Sequence, residues 1–228
     1  MSLRIRAICG MLEDNIILAD IGTDHALLPI LAVESGKAIR AYACDVAAGP
    51  LLQAEANIRE KGLTDQIKAI RSDGFDYVPQ DADTAVLAGM GYHTALTILD
   101  RAMERIPSMK ELIIQVNKDV PMVRRWISEH HFTITKECTV FDRGKYYTAV
   151  AFSPAAHEVY SEEELLGGVL EKELNSDVLA DYLENRINKL RFISEKQNHP
   201  DALENEINLL ESVRQKLTQR NELSLKTS

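Results

Sequence analysis

Short apolar runs alternate with amphipathic stretches along the first two-thirds of the chain, and beyond that the pattern changes. The runs at 15–21, 39–46, 67–71, 83–89 and 111–116 are apolar nearly throughout. That is the mark of strands buried on both faces. Between them, 2–12, 25–35, 49–61, 93–105 and 120–130 carry helical spacing. Strands alternating with helices predict βαβ units, hence a parallel sheet with right-handed crossovers. The alternation then stops. Residues 132–141 and 145–152 read as two strands joined by Asp142-Arg143-Gly144-Lys145, a turn suited to an antiparallel hairpin.

After Ser153-Pro154 the strand-like runs disappear, and 161–197 and 201–222 are rich in Glu, Leu, Lys and Asn at helical spacing. Leu183 and Leu190 lie seven apart, as do Leu203, Leu210 and Leu217. Asn198-His199-Pro200 interrupts the pattern, because proline disfavours helix at the residue before it. The expected organisation is an α/β domain over 1–154 and a coiled-coil-like α-helical hairpin over 155–228. Acids outnumber bases in this tail. Its basic minority, Lys189, Arg191, Lys196, Arg214, Lys216 and Arg220, reads either as a face toward RNA or as salt-bridged surface. Mixed charge with heptad-like leucines also allows self-association.

Composition narrows the class. The chain has 228 residues, 45% hydrophobic and 27% charged, values of an ordinary soluble globular protein. No run approaches the roughly 20 apolar residues of a membrane helix, and Met1–Arg6 has no leader-like apolar core behind it. The three cysteines, Cys9, Cys44 and Cys138, are odd in number and far apart. They suggest neither disulfides nor a zinc site but free thiols in a cytoplasmic protein. No His/Cys/Asp cluster has ligand spacing, so no metal is expected. A net charge of −9 weighs against a nucleic-acid partner for the surface as a whole, though a local basic patch suffices.

Candidate chemistry sits where the strands end. The first strand stops in Asp20-Ile21-Gly22-Thr23-Asp24-His25, and a glycine there lets a ligand approach the backbone closely. Asp45 ends the second strand, where a carboxylate can accept both ribose hydroxyls. Ser72-Asp73-Gly74-Phe75 ends the third, placing an acid for an amino group beside an apolar cover. Ala88-Gly89-Met90-Gly91-Tyr92-His93 ends the fourth, where small residues admit a flat group and Tyr92 can stack on a base. A single glycine after the first strand is not the G-x-G-x-x-G of dinucleotide enzymes. A cofactor without phosphates, S-adenosylmethionine above all, fits better than a nicotinamide. Taken one at a time, each motif also reads as an ordinary turn or helix start.

These segments, with Gly49-Pro50-Leu51, Gln115-Val116-Asn117, Arg125-Trp126-Ile127 and Lys145-Tyr146-Tyr147, resemble the bacterial tRNA (adenine-N1)-methyltransferase family acting on position 22. Asp20-Ile-Gly-Thr-Asp-His-Ala26 is the most specific part, and the resemblance spans most of the chain. It implies a class I (Rossmann-like) methyltransferase fold with a C-terminal helical hairpin. It also implies S-adenosylmethionine as cofactor and tRNA as partner. Asp20 and Gly22 would border the methionine end, Asp45 the ribose, and Asp73 with Gly74 the adenine, with Ala88, Gly89 and Met90 alongside. Tyr92 stands where the family usually has glycine, and Thr23 and Leu27 where serine and tyrosine are common.

Adenine N1 attacks with a free lone pair, so no proton need be removed beforehand. The product base is cationic, and Asp24 is the candidate to stabilise it, with His25 beside it for a hydrogen bond or proton relay. A paired base must first be flipped out, with Tyr92 and His93 placed to receive it. Arg124 and Arg125 are candidates for phosphates, as are Arg4, Arg6, Lys118, Arg143 and Lys145. Two other readings use the same cofactor site: a methyltransferase acting on a small molecule or protein, and a non-catalytic nucleoside-binding or RNA-binding protein.

Overall fold

The computed structural model describes residues 2–155, 157–196 and 201–227. In chain order the elements are α1 (Leu3–Met11), β1 (Ile16–Ile21), α2 (Leu27–Glu34), β2 (Ala38–Asp45), α3 (Ala48–Glu60), β3 (Ile67–Arg71), β4 (Thr84–Met90), α4 (Tyr92–Arg101), β5 (Glu111–Val116), α5 (Val120–Glu129), β6 (Thr133–Asp142), β7 (Lys145–Ser153), α6 (Glu162–Gly167), α7 (Ser176–Lys196) and α8 (Asp201–Thr227). One seven-stranded sheet runs β3-β2-β1-β4-β5-β7-β6. The first five strands are parallel, and β7 enters antiparallel between β5 and β6.

The period of two along each strand explains the layers. Leu18, Val86, Ile113 and Ala151 face the side covered by α1, α2 and α3. Their chain neighbours Ala19, Leu87, Leu112 and Phe152 face the other, with Leu99 of α4 and Val123 and Trp126 of α5. Strands buried on both faces leave no room for polar alternation. Tyr160, Leu165 and Val169 belong to this second core, whereas a separate cluster begins at Leu170 and takes in Leu183, Ile187, Leu210, Val213 and Leu217 of the helical tail.

The strands and the hairpin fall within one residue of the sequence expectation. Four helix boundaries differ, one of them at the end of α8, which was expected to stop at 222 and runs to Thr227. The stretch 161–197 is not one helix: α6 ends at Gly167, Gly168 takes φ +115°, a short 3-10 turn follows, and α7 starts only at Ser176. A Gly-Gly pair gives the backbone that freedom. The helix expected from residue 25 starts at Leu27, because His25 and Ala26 both sit at positive φ, +57° and +59°. The helix expected over 93–105 stops at Arg101. The expected break at Asn198-His199-Pro200 lies outside the described residues. Among those described, no helix is long and apolar enough to cross a membrane.

Candidate active site

The order β3-β2-β1-β4 reverses direction between β1 and β4. Open α/β sheets bind ligands at such switch points, beyond the carboxyl ends of the strands. Here β1 ends at Ile21 and Gly22 turns at φ +76°, its N–H and that of Thr23 both donating to the Cys44 carbonyl at 2.8 and 2.9 Å. The first loop is thereby tied to the end of β2. Beside it, the Asp45 carboxylate accepts the Ala47 N–H at 2.7 Å and the Asp45 carbonyl accepts the Ser72 N–H at 3.0 Å. The Ser72 hydroxyl donates to the Gly74 carbonyl at 2.9 Å and accepts the Tyr77 N–H at 3.0 Å, which shapes the loop presenting Asp73.

A cleft of about 450 Å³ opens between these loops and the first turns of α4. Gly22, Asp45, Asp73, Gly74, Met90 and His93 line it, and all were expected from sequence. Ile21, Val46 and Ile98 give it apolar surface, and Thr94, Thr97 and Arg101 complete the rim. Arg101 was not foreseen. Its Nη1 donates to Asp73 at 2.9 Å and its Nη2 to Asp76 at 3.0 Å, an interaction that the end of α4, read alone as a helix tail, does not signal. Gly74 sits at φ +60°, and a Cβ there would lie 2.9 Å from Ile98 Cγ2. Gly74→Ala should therefore push Ile98 into the cleft and weaken nucleoside binding several-fold, a change that calorimetry with S-adenosylhomocysteine will read.

The remaining candidates surround the cleft without lining it. Asp20 is buried beneath Gly22 and accepts the Thr23 hydroxyl at 2.6 Å. Burial pushes its carboxyl up to about 7 against the opposing effect of that hydrogen bond, and the charges of Asp24 and Asp45 push the same way as burial. Asp24 and His25 are exposed in the loop that follows Gly22, with His25 Nε2 3.7 Å from Asp24 Oδ1. The His25 side chain does not cap α2. Tyr92 packs against the core and its ring lies 3.9 Å from that of His93. Ala88 and Gly89 form the backbone behind Met90. The Gly89 N–H donates to Gln115 Oε1 at 3.1 Å, and Arg4 Nη1 donates to the same oxygen at 2.7 Å. Asn117 Nδ2 donates to the Gly89 carbonyl at 2.9 Å. Arg4 is thus a brace of this loop.

One expectation is overturned. Arg124 is buried, its Nε donating to Glu137 Oε1 at 2.6 Å and its Nη1 turned to the carbonyls of Leu165 and Leu166. A guanidinium enclosed this way cannot reach a phosphate. Arg125 is half-exposed and forked onto Glu162 at 3.1 and 2.8 Å. In the tail, Arg191, Arg214 and Lys216 pair with Glu211, Glu184 and Glu163, so at least half of the basic minority is salt-bridged surface.

Two carboxylates at the ends of β2 and β3, apolar surface between them, and glycines where a Cβ would intrude are what a nucleoside without phosphates requires. The profile of a family described as tRNA (adenine(22)-N(1))-methyltransferase matches residues 18–220, from β1 into α8. The chain belongs to this family. The tRNA (adenine(22)-N(1))-methyltransferase of Bacillus subtilis (strain 168) is 28% identical over 183 residues, 77% of each chain. The family member of M. capricolum, solved with S-adenosyl-homocysteine, superposes with a TM-score of 0.83 at 28% identity, covering 94% of this chain and 98% of that one. Sp1610 of Streptococcus pneumoniae, described as a candidate tRNA (m1A22) methyltransferase and solved with S-adenosyl-L-methionine, gives 0.84 at 26% identity, covering 94% and 99%.

Proposed function

We propose that this chain transfers a methyl group from S-adenosylmethionine to N1 of an adenine in tRNA, at position 22. The observation that carries the reading is the acid-flanked cleft at the switch point of a chain that matches the methyltransferase family from β1 into α8. Asp45 is assigned to the ribose hydroxyls and Asp73, beside Gly74, to the adenine amino group. Asp20 and Gly22 are assigned to the methionine end, with Ala88, Gly89 and Met90 as the adjoining wall. The cofactor supplies an already activated methyl, so the protein's task is to align the nucleophile and exclude water.

Adenine N1 becomes cationic as it is alkylated, and the exposed Asp24 carboxylate is assigned to offset that charge, with His25 orienting the base. Tyr92 and His93, whose rings lie 3.9 Å apart at a tilt of 32°, present a ring surface for a flipped adenine. A flip costs a few kcal/mol, and stacking recovers part of it. Arg125 reaches a backbone phosphate only by leaving Glu162. We assign the α/β part, residues 1–154, to catalysis and the helical part, 155–228, to holding tRNA or a second copy of the chain. A cytoplasmic location suits a tRNA substrate and three buried free thiols.

Incubation with methyl-labelled S-adenosylmethionine and two tRNA transcripts, with adenine or guanine at position 22, tests the reading. Label is expected in the adenine transcript alone. Equal label in both removes the position. Cofactor binding with label in neither favours a different substrate, and Tyr92→Gly, at the position where the family resemblance implies glycine, is then the first variant to test. Asp45→Ala is expected to lower cofactor affinity at least about 30-fold, since two hydroxyl donors lose a charged acceptor, with little change in the melting temperature of the ligand-free protein.

A further inference from the structure

A second and larger concavity, about 630 Å³, lies between the β6–β7 turn and α7, on the far side of Asn117 from the cofactor cleft. Its floor begins at Val116 and Asn117, and the Asn117 N–H donates to the Met90 carbonyl at 3.0 Å. The two concavities therefore adjoin across this contact, one taking the end of β5 and the other the end of β4.

Its chemistry is unlike the rest of the surface. Phe141, Tyr146 and Tyr182 form a chain of rings, 4.7 Å from the first to the second and 5.7 Å from the second to the third. Lys118, Lys145 and Lys189 line the same space and are all exposed. Elsewhere on this net-acidic protein several cations are paired with carboxylates, as Arg40, Arg101, Arg125, Lys136 and Arg191 are. Among the described residues these three lysines have no carboxylate partner, and Asp119 is the one acid in the lining. Arg186 lies deeper, held by Glu206 and by the Tyr182 hydroxyl. Partly exposed rings beside unneutralised lysines are the recipe for an unpaired nucleotide, with the base stacked on the ring and the phosphate on the amines.

We propose that this groove is a second nucleotide subsite. It binds an unpaired nucleotide of the tRNA, distinct from the target adenine, with its base against Tyr146 and its phosphates on Lys145 and Lys189. The inference rests on tRNA being the substrate and deepens that reading. It gives the helical tail a defined part: α7 supplies Tyr182 and Lys189 to one wall, and the hairpin turn supplies Lys145 and Tyr146 to the other. The substrate is gripped on both sides of the β4–β5 edge, which fixes the target base relative to the cofactor cleft.

The test uses the full chain and a tRNA transcript, with binding read by anisotropy at several salt concentrations and cofactor affinity measured alongside. Tyr146→Leu is expected to weaken tRNA binding about tenfold and Tyr146→Phe to restore it, with S-adenosylhomocysteine affinity unchanged. Lys145→Gln and Lys189→Gln, at exposed positions that do not threaten folding, are each expected to lower the salt slope by about one. Tyr146→Leu binding within twofold of the parent overturns the base contact, and unchanged salt slopes in both lysine variants overturn the groove as an RNA site. Because the readout is binding, a parent protein that binds tRNA without methylating it overturns the proposed reaction, while the variants still decide the subsite.

Discussion

Asp20→Asn is expected to stabilise the ligand-free protein above neutral pH and to weaken S-adenosylmethionine binding about 100-fold. The Asp20 carboxyl is enclosed under Gly22 with one hydrogen bond, from Thr23, and burial raises its pKa to about 7 from an ordinary value of 3.8. A carboxyl raised on folding favours the folded state only while protonated in both states. That contribution is complete below about pH 4 and is lost as pH rises toward 7, where the unfolded chain has long been ionised. Asparagine accepts the same Thr23 hydroxyl and carries no charge to desolvate. Its advantage in melting temperature should be nil near pH 4, grow to pH 7 and stay level above that, reaching a few degrees. A tenfold difference in proton affinity between the folded and unfolded chain corresponds to about 1.4 kcal/mol. The carboxylate's cost is therefore a substantial part of a stability of ordinary size. The proposed role of Asp20 at the cationic methionine end of the cofactor gives this cost a use, because a bound cation favours the ionised carboxylate. Melting curves from pH 4 to 9 with and without S-adenosylhomocysteine or S-adenosylmethionine check both halves. A variant that binds the cofactor as tightly as the parent would show that Asp20 serves the loop alone.

Much of this architecture was legible because the strands buried on both faces are almost pure apolar runs, and each ends in a residue with polar chemistry. Asp45 and Asp73 were singled out that way, and the structure puts both on the lining of one cleft. The resemblance to the methyltransferase family joined those ends into one site. What sequence spacing missed is tertiary. Arg101 and Asp73 are 28 residues apart in the chain and meet only because α4 returns over the β3 end. Arg4 was read as a candidate for phosphates, yet α1 delivers it to Gln115 behind Gly89. The tail pattern gave helices correctly but could not resolve 161–197, because Gly167-Gly168 interrupts a leucine-rich stretch whose periodicity otherwise continues. In the same way, charge type alone did not separate Arg124 from Arg125. The two are adjacent on α5, and helical geometry points one inward and the other at Glu162 in solvent.

That inward arginine gives the largest expected loss of stability. Arg124→Met is expected to lower the melting temperature by about 10 °C, because it strands the Glu137 carboxylate with 0% exposure in the core. Glu137 joins three parts of the molecule: its Oε1 takes the Arg124 Nε–H, its Oε2 takes the Val169 N–H at 2.8 Å, and its carbonyl takes the Leu174 N–H at 2.9 Å. Gly168 passes so close that a Cβ would be 3.1 Å from Glu137 Oε2, which explains why glycine occupies that turn. Removing the cation alone should cost about 3–5 kcal/mol, whereas removing both charges costs much less, since the pair's own desolvation offsets most of its attraction. Arg124→Met with Glu137→Gln keeps an acceptor for Val169 and should recover more than half of the loss. Chemical denaturation of the single and double variants measures the coupling directly. The consequence reaches function through the tail. The segment that Glu137 anchors is the one that carries the chain from α6 into α7, and α7 forms one wall of the lysine- and tyrosine-lined groove. Arg124→Met should therefore weaken tRNA binding more than cofactor binding at temperatures where the protein is still folded. Equal losses at both sites would mean that the Arg124–Glu137 pair supports the sheet rather than the placement of the tail.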